Sequence, residues 1–170
     1  MVEVLDVRGM AAVTQPRHSN IAGLVVFSQF SSSGQTALNE RSRMVTETKR
    51  PLRLLLVDDH EAVRRGLRSA VWAAGWEVCA EASDGKEAIE KAKEFHPDVV
   101  ILDVSMPVMG GFEAAPEILR VAPGTKVVGF TMHESEQAKS EMKRIGFHGM
   151  AVKSAPLSNL LETIKSVVSE

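Results

Sequence analysis

The sequence predicts an α/β fold, a doubly wound parallel sheet built from five βα units, and three observations predict it. From residue 51 onward, short apolar runs alternate with stretches of helical period, as in a parallel sheet covered by helices. The central run, Val99 to Leu102, is continuously apolar, as a strand buried on both faces requires. Four of the five runs stop at a residue able to do chemistry: Asp58 with Asp59, Asp103, Thr131 and Lys153. In open α/β sheets, that end of the strands is where ligands bind.

The elements follow in order. Leu52 to Val57 is the first strand, stopped by Asp58 and Asp59. The helix after it, about 60–74, places Val63, Leu67, Ala70, Val71 and Ala74 on one face and Arg64, Arg65 and Arg68 on the other. Gly75 is a natural stop, and Trp76 to Ala82 is the second strand. Asp84 with Glu87 three residues on predicts a capping box that opens a helix over 85–95, its inner face Ala88, Ala92 and Phe95. Pro97 ends it, and the third strand runs up to Asp103.

A loop with Pro107, Gly110 and Gly111 leads to a helix at about 112–121. Pro116 is tolerated only near a helix start, so this helix is expected to begin late or to kink. Lys126 to Phe130 is the fourth strand, followed by a polar helix near 134–145. Gly149 to Val152 is the fifth strand, ending at Lys153. A last helix from Pro156 to about Val168 carries Leu157, Leu160, Leu161, Ile164 and Val168 on its apolar face.

The first 50 residues differ in character. They show no sustained period, and 31–34 and 39–43 read as loop. Residues 1–50 are therefore expected to be a disordered extension and 51–170 the folded domain, with translation starting at Met44 as a further expectation that N-terminal sequencing tests. The extension carries 6 Lys+Arg against 4 Asp+Glu, and the rest of the chain 14 against 18. A mildly acidic domain without a basic stripe is a poor candidate for direct nucleic-acid binding. The one cysteine, Cys79, cannot close an intramolecular disulfide and fits a reducing cytoplasm. No run approaches the roughly 20 apolar residues that span a bilayer, and the flanks of Ile21 to Phe30 are wrong for a secretory signal.

If the strand order is 2-1-3-4-5, the first and third strands are neighbours, and that ordering would bring Asp58, Asp59 and Asp103 together. Three carboxylates in one crevice repel one another unless a cation sits among them. All candidate ligands are oxygens, which points to Mg²⁺. Lys153 adds a positive charge and Thr131 a hydroxyl, so the set suits phosphoryl transfer with a carboxylate nucleophile.

These residues resemble a known family. Val57-Asp58-Asp59-His60, the run ending Leu102-Asp103, Met106-Pro107, Thr131 and Lys153 are similar to a bacterial response-regulator receiver domain, whose fold is flavodoxin-like. Asp58-Asp59-His60-Glu61 and Lys153-Ser154-Ala155 are most similar to the NarL/FixJ branch. The resemblance covers 52–168, with Asp59 and Asp103 separated by 44 residues and Thr131 and Lys153 by 22. It implies that Asp103 accepts a phosphoryl group from a sensor histidine kinase or phosphotransfer protein. Asp59 would ligate Mg²⁺ with Asp58 assisting, and Asp103 and the backbone carbonyl of Ser105 would complete the protein ligands. Lys153 would pair with the phosphoryl oxygens, and Thr131 would move in to bind one of them as the switch. The domain would then promote only its own phosphorylation and dephosphorylation.

Two departures accompany the likeness. Met150 stands where the family usually has an aromatic switch residue, and the chain ends at Glu170, so a stand-alone receiver is expected in place of one joined to a DNA-binding domain. Signalling by dimerisation or effector binding is expected at the face of helix 4, strand 5 and helix 5, including Met142, Met150, Ala151 and Leu157. His60, His96 and His148 read as surface or packing residues. The rival reading is a degenerate receiver that acts as a phosphorylation-independent scaffold, with equal partner affinity in wild-type and Asp103→Asn protein. A phosphatase with an aspartyl-phosphate intermediate is disfavoured by Ser105, where such enzymes need a second Asp. A flavin site is disfavoured because Asp58 and Asp59 would repel the cofactor phosphate.

Overall fold

The computed structural model describes residues 50–169. Five parallel strands, β1 (Arg53–Val57), β2 (Glu77–Ala82), β3 (Val99–Asp103), β4 (Lys126–Thr131) and β5 (Gly149–Val152), lie in the order β2-β1-β3-β4-β5. They alternate with α1 (Glu61–Ala73), α2 (Gly85–Phe95), α3 (Gly111–Val121), α4 (Glu136–Ile145) and α5 (Leu157–Ser169). The predicted class, strand order and all ten elements hold. None of the described helices is long and apolar enough to cross a membrane. The expectations for residues 1–49, disorder and a start at Met44, lie outside the described residues.

Successive side chains of a strand point to opposite faces, and each face has its own core. Leu54 and Leu56 of β1 meet Val99 and Ile101 of β3 beneath α1 and α5, with Leu67, Val71, Leu160, Ile164 and Val167. Leu55 and Val57 meet Val100 and Leu102 beneath α2, α3 and α4, with Ala88, Ala92, Ala114, Ala115 and Ile118. Alanines on α2 and α3 let both helices sit close to the sheet. Cys79 is a bulge residue. Leu54 pairs with Val78 and Leu55 with Ala80, and the skipped thiol donates to the Leu54 carbonyl at 3.3 Å.

Four local readings are corrected. The α3 helix starts at Gly111, earlier than expected, and runs through Pro116. The lost bond would have gone to the Phe112 carbonyl in the first turn, and the ring lies on the exposed face, so the cost is small there. Asp84 does cap α2, accepting from the N–H groups of Lys86 and Glu87. Glu87, however, reaches Ser83 instead of Asp84 and also bonds Lys91; these donors hold its carboxyl at about 2. On α5, Val167 enters the core, while Leu157 lies exposed in the first turn. Met142 and Ala151, expected on a signalling surface, are buried. Gly129 leaves the space that Met142 fills: a Cβ at residue 129 would lie 2.8 Å from the Met142 methyl.

Candidate functional site

The register of the sheet places the acids. Val57 of β1 lies opposite Leu102 of β3, so the next residues, Asp58 and Asp103, leave the sheet side by side. Asp58 is fully buried, and its Oδ1 accepts the backbone N–H of His60 at 2.9 Å, which turns the chain into α1. Asp103 is 2% exposed, and its Oδ1 accepts the N–H of Ser105 at 3.1 Å.

Lys153, just beyond β5, binds both acids. Its ammonium lies 2.6 Å from Asp58 Oδ2 and 2.7 Å from Asp103 Oδ2, and 5.7 Å from the centre of the Phe130 ring. Burial pushes the lysine down, but Asp103 and Asp58 outweigh it and hold the ammonium above the ordinary lysine range. Lys153 is therefore a charged strut between two strand ends, held by ion pairs in a place water barely reaches.

The other predicted residues fall around this pair. Asp59 is at the rim, a quarter exposed, with its Oδ1 2.8 Å from His60 Nδ1. His60 is a surface residue, as its sequence suggested, but its ring also stands 3.5 Å from Asp58 Oδ1. Asp58, Asp59 and His60 offer ligand atoms within 4.8 Å of one another, and no ligand spacing in the chain pointed to the histidine. Thr131 ends β4 with its hydroxyl donating to the His133 carbonyl at 3.3 Å, while its own carbonyl accepts the N–H of Lys153 at 2.7 Å. Met150 is half-buried and lines a cavity beside α4 together with Met142 and Phe147. In the loop after Asp103, the Met109 N–H bonds the Pro107 carbonyl at 2.8 Å across Val108, a γ-turn whose central residue has φ 72°. A β-branched residue at positive φ is strained, and this strain lies five residues from Asp103.

The pocket holds three carboxylates against one ammonium. Asp58 Oδ2 is buried and, apart from its ion pair with Lys153, receives no aligned hydrogen bond. Asp58 and Asp103 share the one Lys153 ammonium, so with a third acid at the rim the pocket keeps an excess of negative charge that suits a small hard cation, and the oxygen donors fit Mg²⁺ better than a soft metal. Asp58, Asp59 and Asp103 are the side chains that would hold it.

Residues 54–165 match the response regulator receiver domain family. The chain is 38% identical over 117 residues to response regulator GacA of Pseudomonas viridiflava, covering 68% of this chain and 55% of that protein. It thus spans about half the length of the curated relatives it matches first. Among solved structures, a two-component response regulator of the LuxR family from Aurantimonas sp. SI85-9A1 superposes with a TM-score of 0.67 at 32% identity, covering 70% of this chain and 86% of that one. A CheX-CheY-BeF3-Mg+2 complex from Borrelia burgdorferi gives 0.66 at 27% identity, covering 69% and 89%.

Proposed function

Since the chain belongs to the response regulator receiver domain family, we propose that Asp103 accepts a phosphoryl group from a phosphohistidine on a sensor kinase or phosphotransfer protein. The observation that carries this reading is the Lys153 ammonium held between Asp58 and Asp103 at 2.6 and 2.7 Å. In the transfer, an Asp103 carboxylate oxygen forms the new P–O bond. The P–N bond breaks, and its electron pair returns to the imidazole. Lys153 stands where charge on the phosphoryl oxygens would develop, already desolvated and already oriented. Asp103 is fixed by the Ser105 N–H and the lysine, so little reorganisation precedes attack. Bound Mg²⁺ would neutralise the acids and hold a phosphoryl oxygen. The Borrelia burgdorferi complex, CheX-CheY-BeF3-Mg+2, includes that cation.

Thr131 is the switch in this reading. Its present bonds to the His133 backbone are long, 3.3 and 3.4 Å, so an anionic phosphoryl oxygen is a better partner for the hydroxyl. Met150 beside α4 would fill the space that opens when it moves. The domain would act on itself alone, as a phosphoacceptor and not as an enzyme with turnover. The free, half-buried thiol of Cys79 fits work in the cytoplasm.

Intact mass after incubation with a small phosphodonor tests the chemistry. A gain of one phosphoryl group that requires both Mg²⁺ and Asp103 is expected, with none in Asp103→Asn. A gain that survives in Asp103→Asn would move the acceptor elsewhere, and no gain in folded wild type, with phosphorylated kinase also tried, would favour the scaffold reading.

The output surface is the α4-β5-α5 face, through a homodimer or an effector protein. Since Met142 and Ala151 are buried, the exposed contributors are Leu157 and the rim around Met150. Leu157→Glu should abolish phosphorylation-dependent dimerisation or effector binding in sedimentation experiments while leaving phosphorylation intact. Unchanged association would remove this face from the output.

A further inference from the structure

The helical period puts Arg64 with Arg65 and Arg68 on the solvent side of α1, yet the Arg64 side chain is only 16% exposed. Its Nη1 donates to the backbone carbonyl of Asp58 at 2.7 Å, and its Nε lies 3.3 Å from Glu81 Oε2. Glu81 is itself held, since Arg68 Nε donates to Oε1 at 2.6 Å and Lys91 bonds the Glu81 backbone carbonyl. A strut thus runs from edge strand β2 through Glu81 and Arg64 to one peptide group of the β1–α1 loop.

That peptide joins Asp58 to Asp59. It is planar, so holding its carbonyl restricts the directions in which both neighbouring side chains leave the backbone. We propose that Arg64 is a positioning residue for cation binding: it fixes the Asp58–Asp59 peptide so that both carboxylates face one ion, and Glu81, shared with Arg68, anchors it and offsets part of its charge. The inference rests on the reading of this pocket as a Mg²⁺ site. A guanidinium placed there without Glu81 would repel the cation it helps to bind. Paired with Glu81, it supplies a rigid donor at a lower electrostatic cost.

Charge alone and positioning predict opposite signs, which makes the inference testable. Removing a nearby positive charge tightens cation binding, whereas releasing the peptide weakens it. We expect Arg64→Met in the 170-residue chain to raise the Mg²⁺ dissociation constant about tenfold, the lower end of effects for groups that orient metal ligands. Amide chemical shifts of Asp59 and His60 followed through a MgCl₂ titration give the constant, and circular dichroism checks that each variant is folded. Arg64→Lys, which keeps a donor for the same carbonyl, should recover most of the affinity. If Arg64→Met fails to fold, Arg64→Gln carries the test, because it removes the same positive charge and is too short to hold both the Asp58 carbonyl and Glu81. Weaker Mg²⁺ binding is expected there too.

Unchanged or tighter binding in folded Arg64→Met or Arg64→Gln overturns the proposal, as does a loss that Arg64→Lys does not relieve. Wild-type protein that binds no Mg²⁺ overturns the reading of the pocket and this inference with it. Wild-type protein that binds, beside an Arg64→Met protein that binds equally well, overturns this inference alone.

Discussion

Replacing Lys153 with methionine should lower the melting temperature in EDTA by about 12 °C and abolish phosphorylation. Methionine keeps the length and apolar stem of lysine but not its ammonium, so Asp58 and Asp103 face each other without a cationic partner. Both are buried, at 0% and 2% exposure. Removing one side of a buried ion pair typically costs about 3 kcal/mol or more, because the remaining charge stays desolvated. At roughly 4 °C per kcal/mol for a domain of this size, that gives the predicted shift. Mg²⁺ should then stabilise the variant more than the wild type, since the cation supplies the charge the lysine supplied. Differential scanning calorimetry with EDTA and with MgCl₂ measures both. A variant that melts with the wild type in EDTA would mean that the two carboxylates do not depend on Lys153, and the charge arrangement described above would be wrong.

Gly111→Ala should cost about 3 kcal/mol, the upper end for overpacking, and displace the phosphoacceptor. Gly111 opens α3, and its N–H bonds the Val104 carbonyl at 3.0 Å, which folds the helix start back onto the end of β3. A Cβ there would collide with the carbonyl oxygen of Asp103 and lie 3.0 Å from Val104 Cα and 3.1 Å from the Asp103 carbonyl carbon. All three are backbone atoms, which cannot rotate away as a side chain can. Either α3 lifts or Asp103 moves, and both alter the pocket. Urea denaturation reads the stability and intact mass the extent of phosphorylation. Gly66→Ala is the control: its Cβ would meet nothing within 4 Å inside α1, so a gain of up to about 1 kcal/mol is expected. Equal midpoints for Gly111→Ala and wild type would show that the helix can shift at no cost.

Much of this molecule was legible in the chain because its signals are local and repeated. The apolar run Val99 to Leu102, the alanine face of α2 and the leucine face of α5 each state their period within a few residues. Element ends were legible where one residue dictates them, as with Asp84 before α2 or Gly75 after α1, whose φ of 76° suits glycine. Pro116 misled because proline is a strong local breaker. Its one lost bond falls on the first turn of α3, and the alanines around it bury well enough to carry the helix through.

Side-chain direction was harder to read. Met142 and Ala151 look like surface on a polar helix and a short strand, but Gly129 on β4 leaves a space that only the folded sheet reveals. Arg64 looks solvated by period alone. Its partners, the Asp58 carbonyl and Glu81, lie 6 and 17 residues away, and no period relates them. His60 follows both aspartates directly in the chain, but nothing there showed that its ring would turn back towards their carboxylates.

By itself the sequence determined the five βα units, the α/β class and the residues that end the strands, because backbone propensity and apolar period act over a few residues at a time. Strand order and register decided the rest. Only with β1 beside β3 do Asp58 and Asp103 leave the sheet together, and only across β4 does Lys153 reach both. Those distances join residues 45, 50 and 95 positions apart in the chain. Burial then turns three ordinary charged side chains into a desolvated group in which each depends on the others, because Coulomb interactions strengthen where water is excluded.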